Sequence, residues 1–186
     1  MTEQGDLLRR IDQALDQAGV AHMVVGSLAS SFHGEPRQTR DIDIVIEATA
    51  GGVQRFIGLL DEDAFYADAG AAAEALDRRT SFNVIERATG WKVDLIVTRD
   101  RAFSVEELRR RLPVSLLGTD THVATAEDTI IAKLEWATEG ASERQLGDVA
   151  AIVRTQGSRL DRDYLDRWIG PLGLDDAWRK ALDLAG

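Results

Sequence analysis

Two aspartates in the sequence have the residue type and the spacing to bind a metal ion. Asp41 and Asp43 open an apolar run in which Ile42, Ile44 and Ile46 alternate along the chain, a pattern typical of a strand. Residues two apart on a strand face the same side, so the two carboxylates are expected to share one face. Carboxylates this close repel each other unless a cation lies between them, and oxygen ligands favour Mg²⁺ or Mn²⁺ over zinc.

A third carboxylate lies in a second strand pattern. Asp94 alternates with Val93 and Leu95 within the run from Lys92 to Val97. If this strand neighbours the first, Asp94 completes a cluster of three carboxylates. Such a cluster can hold two metal ions about 3.5–4 Å apart and clamp the attacking and leaving oxygens of a displacement reaction.

The Asp-x-Asp spacing has other interpretations, because the chain contains 32 acidic residues. The same spacing occurs at Asp61 and Asp63, which we interpret as a loop, and at Asp161 and Asp163, which we interpret as the start of a helix. The pair at 41 and 43 differs because it heads an apolar strand and follows a Gly-Ser turn. The alternative for this pair is a solvated strand end.

A glycine and a serine precede the carboxylate pair, where a strand is predicted to turn into a helix. Backbone N–H groups at Gly26 and Ser27 can cradle a phosphate, and the dipole of the following helix assists. The alternative is a turn glycine followed by a serine that caps the helix. The sequence contains neither a Walker A pattern nor Gly-x-Gly-x-x-Gly. A phosphate turn followed by paired carboxylates suits chemistry on a nucleoside triphosphate.

The predicted elements that position these residues form an α/β part followed by an all-helical part. Apolar periodicity predicts helices at 5–18, 27–32 and 51–60, the first of them ended by Gly19. Strands are predicted at 21–25, from residue 41, near 82–85 and at 91–97. The last two strands are expected to form a hairpin through Thr89-Gly90. Ser104 and Glu107 predict a capping box for a helix ending at Pro113, followed by short strands or extended segments at 114–117 and 122–124. Helices are then predicted at 126–138 after Thr125, from a capping box at Ser142 and Gln145 to 156, at 161–169 and at 175–184. Residues 63–80 show no clear pattern.

The predicted fold class is therefore α/β (α+β), with a small mixed sheet flanked by helices and a C-terminal helical region. We predict two domains, at residues 1–124 and 125–186.

Composition narrows the choice of partners and location. The 186 residues include no cysteine and carry a net charge of -10, which disfavours sequence-independent binding to nucleic acid. No apolar run approaches the ~20 residues needed to cross a bilayer, so no membrane association is expected. The N-terminus has no signal-peptide core, and a cytoplasmic location is the expectation.

The combined pattern resembles the nucleotidyltransferase superfamily that shares the DNA polymerase β palm. The family pattern is a Gly-Ser turn, about a dozen residues, Asp-x-Asp on a strand, and a third Asp on a later strand. Here these are Gly26 and Ser27, Asp41 and Asp43, and Asp94. The resemblance covers roughly residues 5–100 and implies a nucleotidyltransferase-type sheet. The chain departs from many members in having Val25, rather than glycine, before Gly26.

The helical part is similar to the Lys…Arg-x-x-x-Asp helices of abortive-infection and toxin–antitoxin nucleotidyltransferases. The matching residues are Lys133, Arg144 and Asp148. The resemblance implies that Lys133 and Arg144 contact the triphosphate or the acceptor. The alternative is that Arg144 and Asp148, four residues apart, form an ion pair on a helix surface and that Lys133 is solvated.

The resemblance implies transfer of an NMP from an NTP to an acceptor, which could be a protein, RNA or small molecule. In that case Asp41, Asp43 and Asp94 would hold Mg²⁺ or Mn²⁺, and Asp94 would help remove the acceptor's proton. Gly26 and Ser27 would bind the β- and γ-phosphates. Arg37 or Arg40 would neutralise developing charge, with a salt bridge to a nearby Asp as the alternative for each.

Three functional hypotheses stay open at this point. One is an active Mg²⁺-dependent nucleotidyltransferase, with a cognate antitoxin protein among its candidate partners. The second is a non-catalytic nucleotide- or protein-binding module of the same fold. The third is a small-molecule resistance enzyme such as an aminoglycoside nucleotidyltransferase, because the acidic net charge permits a cationic acceptor.

Overall fold

A computed structural model describes residues 2–140 and 142–186 of the chain. Its backbone contacts divide into two compact units. The first contains the chain up to Val25 together with Thr39–Val123, and the second contains Gly26–Gln38 together with Ala124–Gly186. The second unit thus includes an early segment of the chain besides the C-terminal region. The domain assignment of 1–124 and 125–186 stays a prediction.

The first unit contains a seven-stranded mixed sheet. Its strands are β1 (Ala21–Val24), β2 (Asp41–Glu47), β3 (Phe65–Ala67), β4 (Ser81–Glu86), β5 (Lys92–Val97), β6 (Leu112–Leu116) and β7 (Thr119–Val123). Their spatial order is β3-β4-β5-β2-β1-β7-β6. The pairs β2/β5 and β1/β7 are parallel, and the other neighbouring pairs are antiparallel. The predicted mixed sheet and the predicted hairpin β4/β5 are confirmed.

Nine α-helices lie within the described part of the chain. They are α1 (Glu3–Ala18), α2 (Gly26–His33), α3 (Ala50–Leu59), α4 (Ala69–Arg78), α5 (Ala102–Arg110), α6 (Ala126–Gly140), α7 (Glu143–Gln156), α8 (Arg162–Ile169) and α9 (Asp175–Ala185). The first unit contains α1, α3, α4 and α5, and the second contains α2 and α6 to α9. The predicted α/β class with a C-terminal helical region is confirmed. None of the described helices is both long enough and apolar enough to span a bilayer.

One face of the sheet is the core of the first unit. Ile44 on β2 and Leu95 on β5 are fully buried, as are Leu8 and Ile11 on α1. The helix α1 contacts β1 and β7. It ends where predicted, at Gly19, whose φ of 69° lies in the left-handed region that glycine adopts without strain. Because period-2 alternation commits one face of β2 and β5 to this core, the residues between the apolar ones lie on the opposite face.

The capping box predicted at Ser104 and Glu107 is wrong. The helix α5 begins earlier, at Ala102, so both residues lie within it and are buried. The Ser104 Oγ instead accepts a hydrogen bond from Arg101 Nε at 3.0 Å. The helix also ends at Arg110 rather than at Pro113, which lies in β6. This strand is at the edge of the sheet, where the missing N–H of proline is tolerated.

The helix predicted after Ser142 forms as α7, but the predicted capping box does not. The Ser142 side chain makes no capping hydrogen bond. The Gln145 N–H donates instead to the backbone carbonyl of Ser142, at 3.1 Å. By contrast, residues 63–80, for which the sequence showed no clear pattern, contain a helix with a well-defined N-cap. Asp68 Oδ1 accepts hydrogen bonds from the N–H groups of Gly70 and Ala71 at the start of α4.

The second unit is a helical cluster in which α2 and α7 to α9 pack around α6. At its centre the fully buried Asp128 accepts hydrogen bonds of 2.6 Å from Thr125 Oγ1 and from Tyr164 Oη. Thr125 Oγ1 also accepts from the Asp128 N–H at 3.1 Å, which confirms its predicted role as the cap of α6. These bonds satisfy a carboxylate that would be costly to bury alone.

Candidate active site

The three predicted carboxylates lie on one face of two adjacent strands. In the parallel pair β2/β5, Asp43 is the register partner of Asp94, and Asp41 is level with Lys92. Register partners on neighbouring strands point their side chains to the same side of the sheet. Asp41 is exposed, Asp43 and Asp94 are half-buried, and Ile42 between the two β2 aspartates is fully buried on the opposite face. The structure therefore brings Asp41, Asp43 and Asp94 together on an accessible face.

A lysine and an asparagine lie next to these three aspartates. Lys92 Nζ forms an ion pair with Asp94 Oδ2 at 3.0 Å. The hydrogen bond to Asp94, aided by the charges of Asp41 and Asp43, raises the pKa of Lys92. On the other side of β5, Asn83 of β4 is the register partner of Asp94 and is exposed. We call the three aspartates, Asp41, Asp43 and Asp94, the carboxylate cluster.

The side chains of the carboxylate cluster are not arranged as a ready metal cage. Within residues 2–140 and 142–186, no group of three His, Cys, Asp or Glu side chains is positioned to hold a metal ion. The donor chemistry nevertheless fits Mg²⁺ or Mn²⁺, because three carboxylates share one accessible face. The Lys92 ammonium lies against one of the Asp94 oxygens that such an ion would use. Asp41, Asp43 and Asp94 accordingly stay predicted metal ligands.

In the second unit, Asp148 on α7 contacts two of the predicted nucleotide-binding residues directly, Lys133 and Arg37, and a third, Ser27, through Arg37. Its Oδ2 accepts from Lys133 Nζ at 2.7 Å, and its two oxygens accept from Arg37 Nε and Nη2 at 3.0 and 3.1 Å. The same Arg37 Nη2 donates to Ser27 Oγ at 2.6 Å. Burial alone would raise the pKa of Asp148, but the hydrogen bonds and charges of Arg37 and Lys133 outweigh it and lower the pKa.

These contacts decide between some of the alternatives left open by the sequence. Lys133 is buried, with only 5% of its surface exposed, so it is not a solvated surface lysine. Arg37 does form a salt bridge to an aspartate, but the partner is Asp148, 111 residues away in the sequence. The ion pair considered between Arg144 and Asp148 is wrong for the described residues, because Asp148 is paired with Arg37 and Lys133 while Arg144 is exposed. The sequence placed Asp148 in a motif with Lys133 and Arg144 and suggested an ion pair with Arg144, but it predicted no contact of Asp148 with Arg37 or Lys133.

The remaining predicted nucleotide-binding residues lie in less constrained positions. Gly26 begins α2 with a φ of 61°, a left-handed conformation that suits glycine at the turn after β1. Arg40 is exposed immediately before β2. Arg40 and Arg144 are thus accessible, whereas Ser27, Arg37 and Lys133 belong to a fixed hydrogen-bonded network. Binding of nucleotide by any of the six stays a prediction.

Comparison with known proteins finds the fold and not a sequence family. No family model matches the chain, and no curated protein matches it by sequence. Among solved structures, ANT(2″)-Ia in complex with adenylyl-2″-tobramycin superposes with a TM-score of 0.61 at 14% identity, over 95% of this chain and 99% of that one. An antigenic nucleotidyltransferase-like protein from Paracoccidioides brasiliensis gives 0.55 at 14% identity, over 96% and 93%. The lincosamide antibiotic adenylyltransferase LnuA gives 0.51 at 13% identity, over 82% and 96%.

The chain therefore has the nucleotidyltransferase fold, as its sequence motifs predicted. The identities of 13–14% in these superpositions show the fold alone. Activity has to be argued from the residues of this chain.

Proposed function

We propose that the chain is a metal-dependent nucleotidyltransferase that transfers an NMP from an NTP to an acceptor. The observation that carries this proposal is the register of β2 and β5, which aligns Asp43 with Asp94 and keeps Asp41 on the same face. These three aspartates are the residues that the sequence motif singled out as metal ligands, and the chain has the nucleotidyltransferase fold. The fold alone would be compatible with many functions.

In the proposed reaction an acceptor hydroxyl attacks the α-phosphorus of the NTP. A new P–O bond forms, the bond to the β-phosphate oxygen breaks, and pyrophosphate leaves. Asp41, Asp43 and Asp94 would hold Mg²⁺ or Mn²⁺, which supplies positive charge to the phosphate oxygens. Asp94 would take the proton of the attacking hydroxyl as a general base.

The network around Asp148 would bind the triphosphate. The Gly26 N–H and the Ser27 hydroxyl are assigned to the β- and γ-phosphates, and Arg37 and Lys133 supply two cationic groups. Asp148 holds both cations in fixed rotamers before substrate arrives, which reduces the cost of ordering them on binding. The exposed Arg40 and Arg144 would add charge from more mobile side chains.

The test uses α-³²P-labelled NTPs with Mg²⁺ and a cell extract as the source of acceptor. We expect label transfer by the wild type and a loss of at least about 100-fold in Asp43→Asn, because one carboxylate of the cluster is removed. The matched control is Asp63→Asn, which changes the second residue of an exposed Asp-x-Asp pair with the same spacing. Equal transfer by Asp43→Asn and Asp63→Asn would contradict the proposal.

The acceptor and the biological role belong to the same proposal. ANT(2″)-Ia is described with an adenylylated tobramycin and LnuA with lincomycin, so both antibiotics are acceptors to test directly with each of the four NTPs. A role as one component of a toxin–antitoxin pair, with a cognate antitoxin protein as partner, and a cytoplasmic location are the other expectations. Growth arrest on expression, relieved by a neighbouring gene, would support the toxin role.

A second candidate function is a non-catalytic module of the same fold. The ion pair between Lys92 and Asp94 favours it, because a cation of the chain itself already neutralises one carboxylate of the cluster. Isothermal titration calorimetry with NTPs separates the two candidates. Nucleotide binding that needs no metal, with no turnover in the labelling assay, would favour the non-catalytic module.

A further inference from the structure

The register of β5 places the Lys92 side chain next to the carboxylate cluster. Lys92 lies beside Asp41 on the neighbouring strand, and its ammonium reaches Asp94 two residues further along β5, at 3.0 Å. The side chains are only partly exposed, 38% for Lys92 and 22% for Asp94, so water screens the ion pair less than at an open surface. One lysine thus offsets part of the repulsion among three carboxylates.

From this geometry we infer that Lys92 is a built-in counter-cation that competes with a divalent metal ion for the carboxylate cluster. The Lys92 ammonium already occupies one acceptor site of Asp94 Oδ2 and repels a divalent cation bound to the same carboxylate, so metal binding and the ion pair oppose each other. Lys92 therefore weakens metal binding while stabilising the metal-free form. This inference rests on the proposed function, since it concerns the carboxylates assigned there to a metal.

Removal of the lysine charge should therefore strengthen metal binding. We expect Lys92→Met to bind Mn²⁺ about tenfold more tightly than the wild type, which corresponds to about 1.4 kcal/mol. Methionine keeps a long apolar side chain in place of the lysine stem. The expected gain is smaller for Lys92→Arg, which retains the positive charge. Free and bound Mn²⁺ are measured by electron paramagnetic resonance, and the increase of the melting temperature with Mn²⁺ is recorded in parallel.

The matched control is Lys180→Met, which removes the same charge from an exposed position on α9. It should leave Mn²⁺ affinity unchanged, so that an effect of total charge is separated from the local effect. Without metal, Lys92→Met should melt at a lower temperature than the wild type, because the carboxylates lose their counter-cation. Mn²⁺ should then raise its melting temperature by more than it raises that of the wild type.

Two outcomes would overturn the inference, and they differ in what they say about function. Equal Mn²⁺ affinity in the wild type and Lys92→Met, with binding lost in Asp43→Asn, overturns the role of Lys92 and leaves the proposed function standing. If neither the wild type nor Lys92→Met binds Mn²⁺ at millimolar concentration, the inference fails together with the metal dependence of the proposed function. Tighter binding by Lys92→Met and not by Lys180→Met supports it.

Discussion

At the scale of single residues, charges in this protein are arranged as mixed networks rather than as separate pairs. Asp148 is shared by Arg37 and Lys133, and Lys92 lies among three carboxylates. In both places a lysine takes part in a candidate functional network through its contact with an aspartate. The signal for Lys92 was present in the sequence, because its spacing of two from Asp94 places both on one strand face.

The network at Asp148 predicts a large loss of stability when its carboxylate is neutralised. Asp148→Asn removes the carboxylate that pairs with the ammonium of Lys133, whose side chain is 6% exposed. Breaking a buried ion pair in this way is expected to lower the free energy of unfolding by about 3 kcal/mol. The measurement is urea unfolding followed by circular dichroism.

The control is Asp176→Asn, which neutralises an ion pair with Arg179 whose side chains are 84% and 69% exposed. Its effect should stay within about 0.5 kcal/mol, because exposed pairs contribute little. If both substitutions cost the same, Asp148 does not compensate a buried charge.

At the scale of elements, the buried Asp12 on α1 connects this helix to two strands of the sheet, to β1 through His22 and to β7 through Thr121. His22 on β1 has both ring nitrogens next to acceptors, with Nε2 at 2.8 Å from Asp12 Oδ1 on α1 and Nδ1 at 2.9 Å from the Val20 carbonyl. Thr121 on β7 donates to the same Asp12 oxygen. Two acceptors require two N–H donors, so the imidazolium form fits this site. Three scattered histidines in the sequence gave no sign of this contact.

The pair predicts stability that depends on pH. Burial alone would lower the pKa of His22, but the hydrogen bond to Asp12, the Val20 carbonyl and the aspartate charge raise it above the ordinary 6.5. The folded state therefore holds this proton more tightly than the unfolded state. The stabilisation is fully present below pH 6.5 and is lost as the pH rises through the higher folded-state pKa. We expect the difference in unfolding free energy between wild type and His22→Gln to shrink as the pH rises from 6 to 9.

His33 provides a control of opposite sign. Burial is the main cause of its lowered pKa, and its Nε2 donates to the Ala124 carbonyl at 2.7 Å. The unfolded state binds a proton more readily here, so this histidine lowers stability as the pH falls below 6.5. In His33→Gln, the free energy of unfolding should accordingly no longer show this decrease as the pH falls below 6.5. Parallel pH profiles for the two variants would contradict the assignment of His22 as an imidazolium.

At the scale of the whole molecule, the negative net charge disfavours polyanionic partners such as nucleic acid. The net charge is -10, and the short basic run at residues 109–111 coincides with the end of α5. Arg109 is paired with Glu106 at 3.1 Å, and Arg111 donates to the Leu108 carbonyl at 2.8 Å. The run thus lies at the C-terminal end of a helix, where cations complement the dipole.

This charge balance predicts no sequence-independent binding to nucleic acid. We expect random duplex DNA and single-stranded RNA to show no binding at 10 µM protein or below, as measured by fluorescence anisotropy at 150 mM KCl. Non-specific dissociation constants are typically about 10⁻⁴–10⁻⁶ M, so this concentration tests the tighter part of that range. The same titration at 20 mM KCl is the control for weak electrostatic attraction. Binding in the micromolar range that falls steeply with salt would contradict the prediction and move RNA to the front of the acceptor candidates.

The sequence was enough to predict the fold class, nearly all the elements and the face on which the three aspartates lie. It could do so because these features depend on local periodicity: alternation along β2 and β5 commits the isoleucines to the core and the aspartates to the other side. It failed at Ser104 and Ser142, where a nearby Arg101 side chain or a backbone carbonyl took the hydrogen bond that the local pattern assigned to a cap.

The partners of the charged residues depend on the three-dimensional packing and could not be predicted from the sequence. Arg37 and Asp148 are 111 residues apart, and Asp12 meets Thr121 from another part of the chain. Such pairs depend on which strands and helices become neighbours, and no local pattern encodes that. The position of the Lys92 ammonium at Asp94 is of the same kind, because the alternation gives the shared face while the rotamers and the neighbouring carboxylates fix the contact.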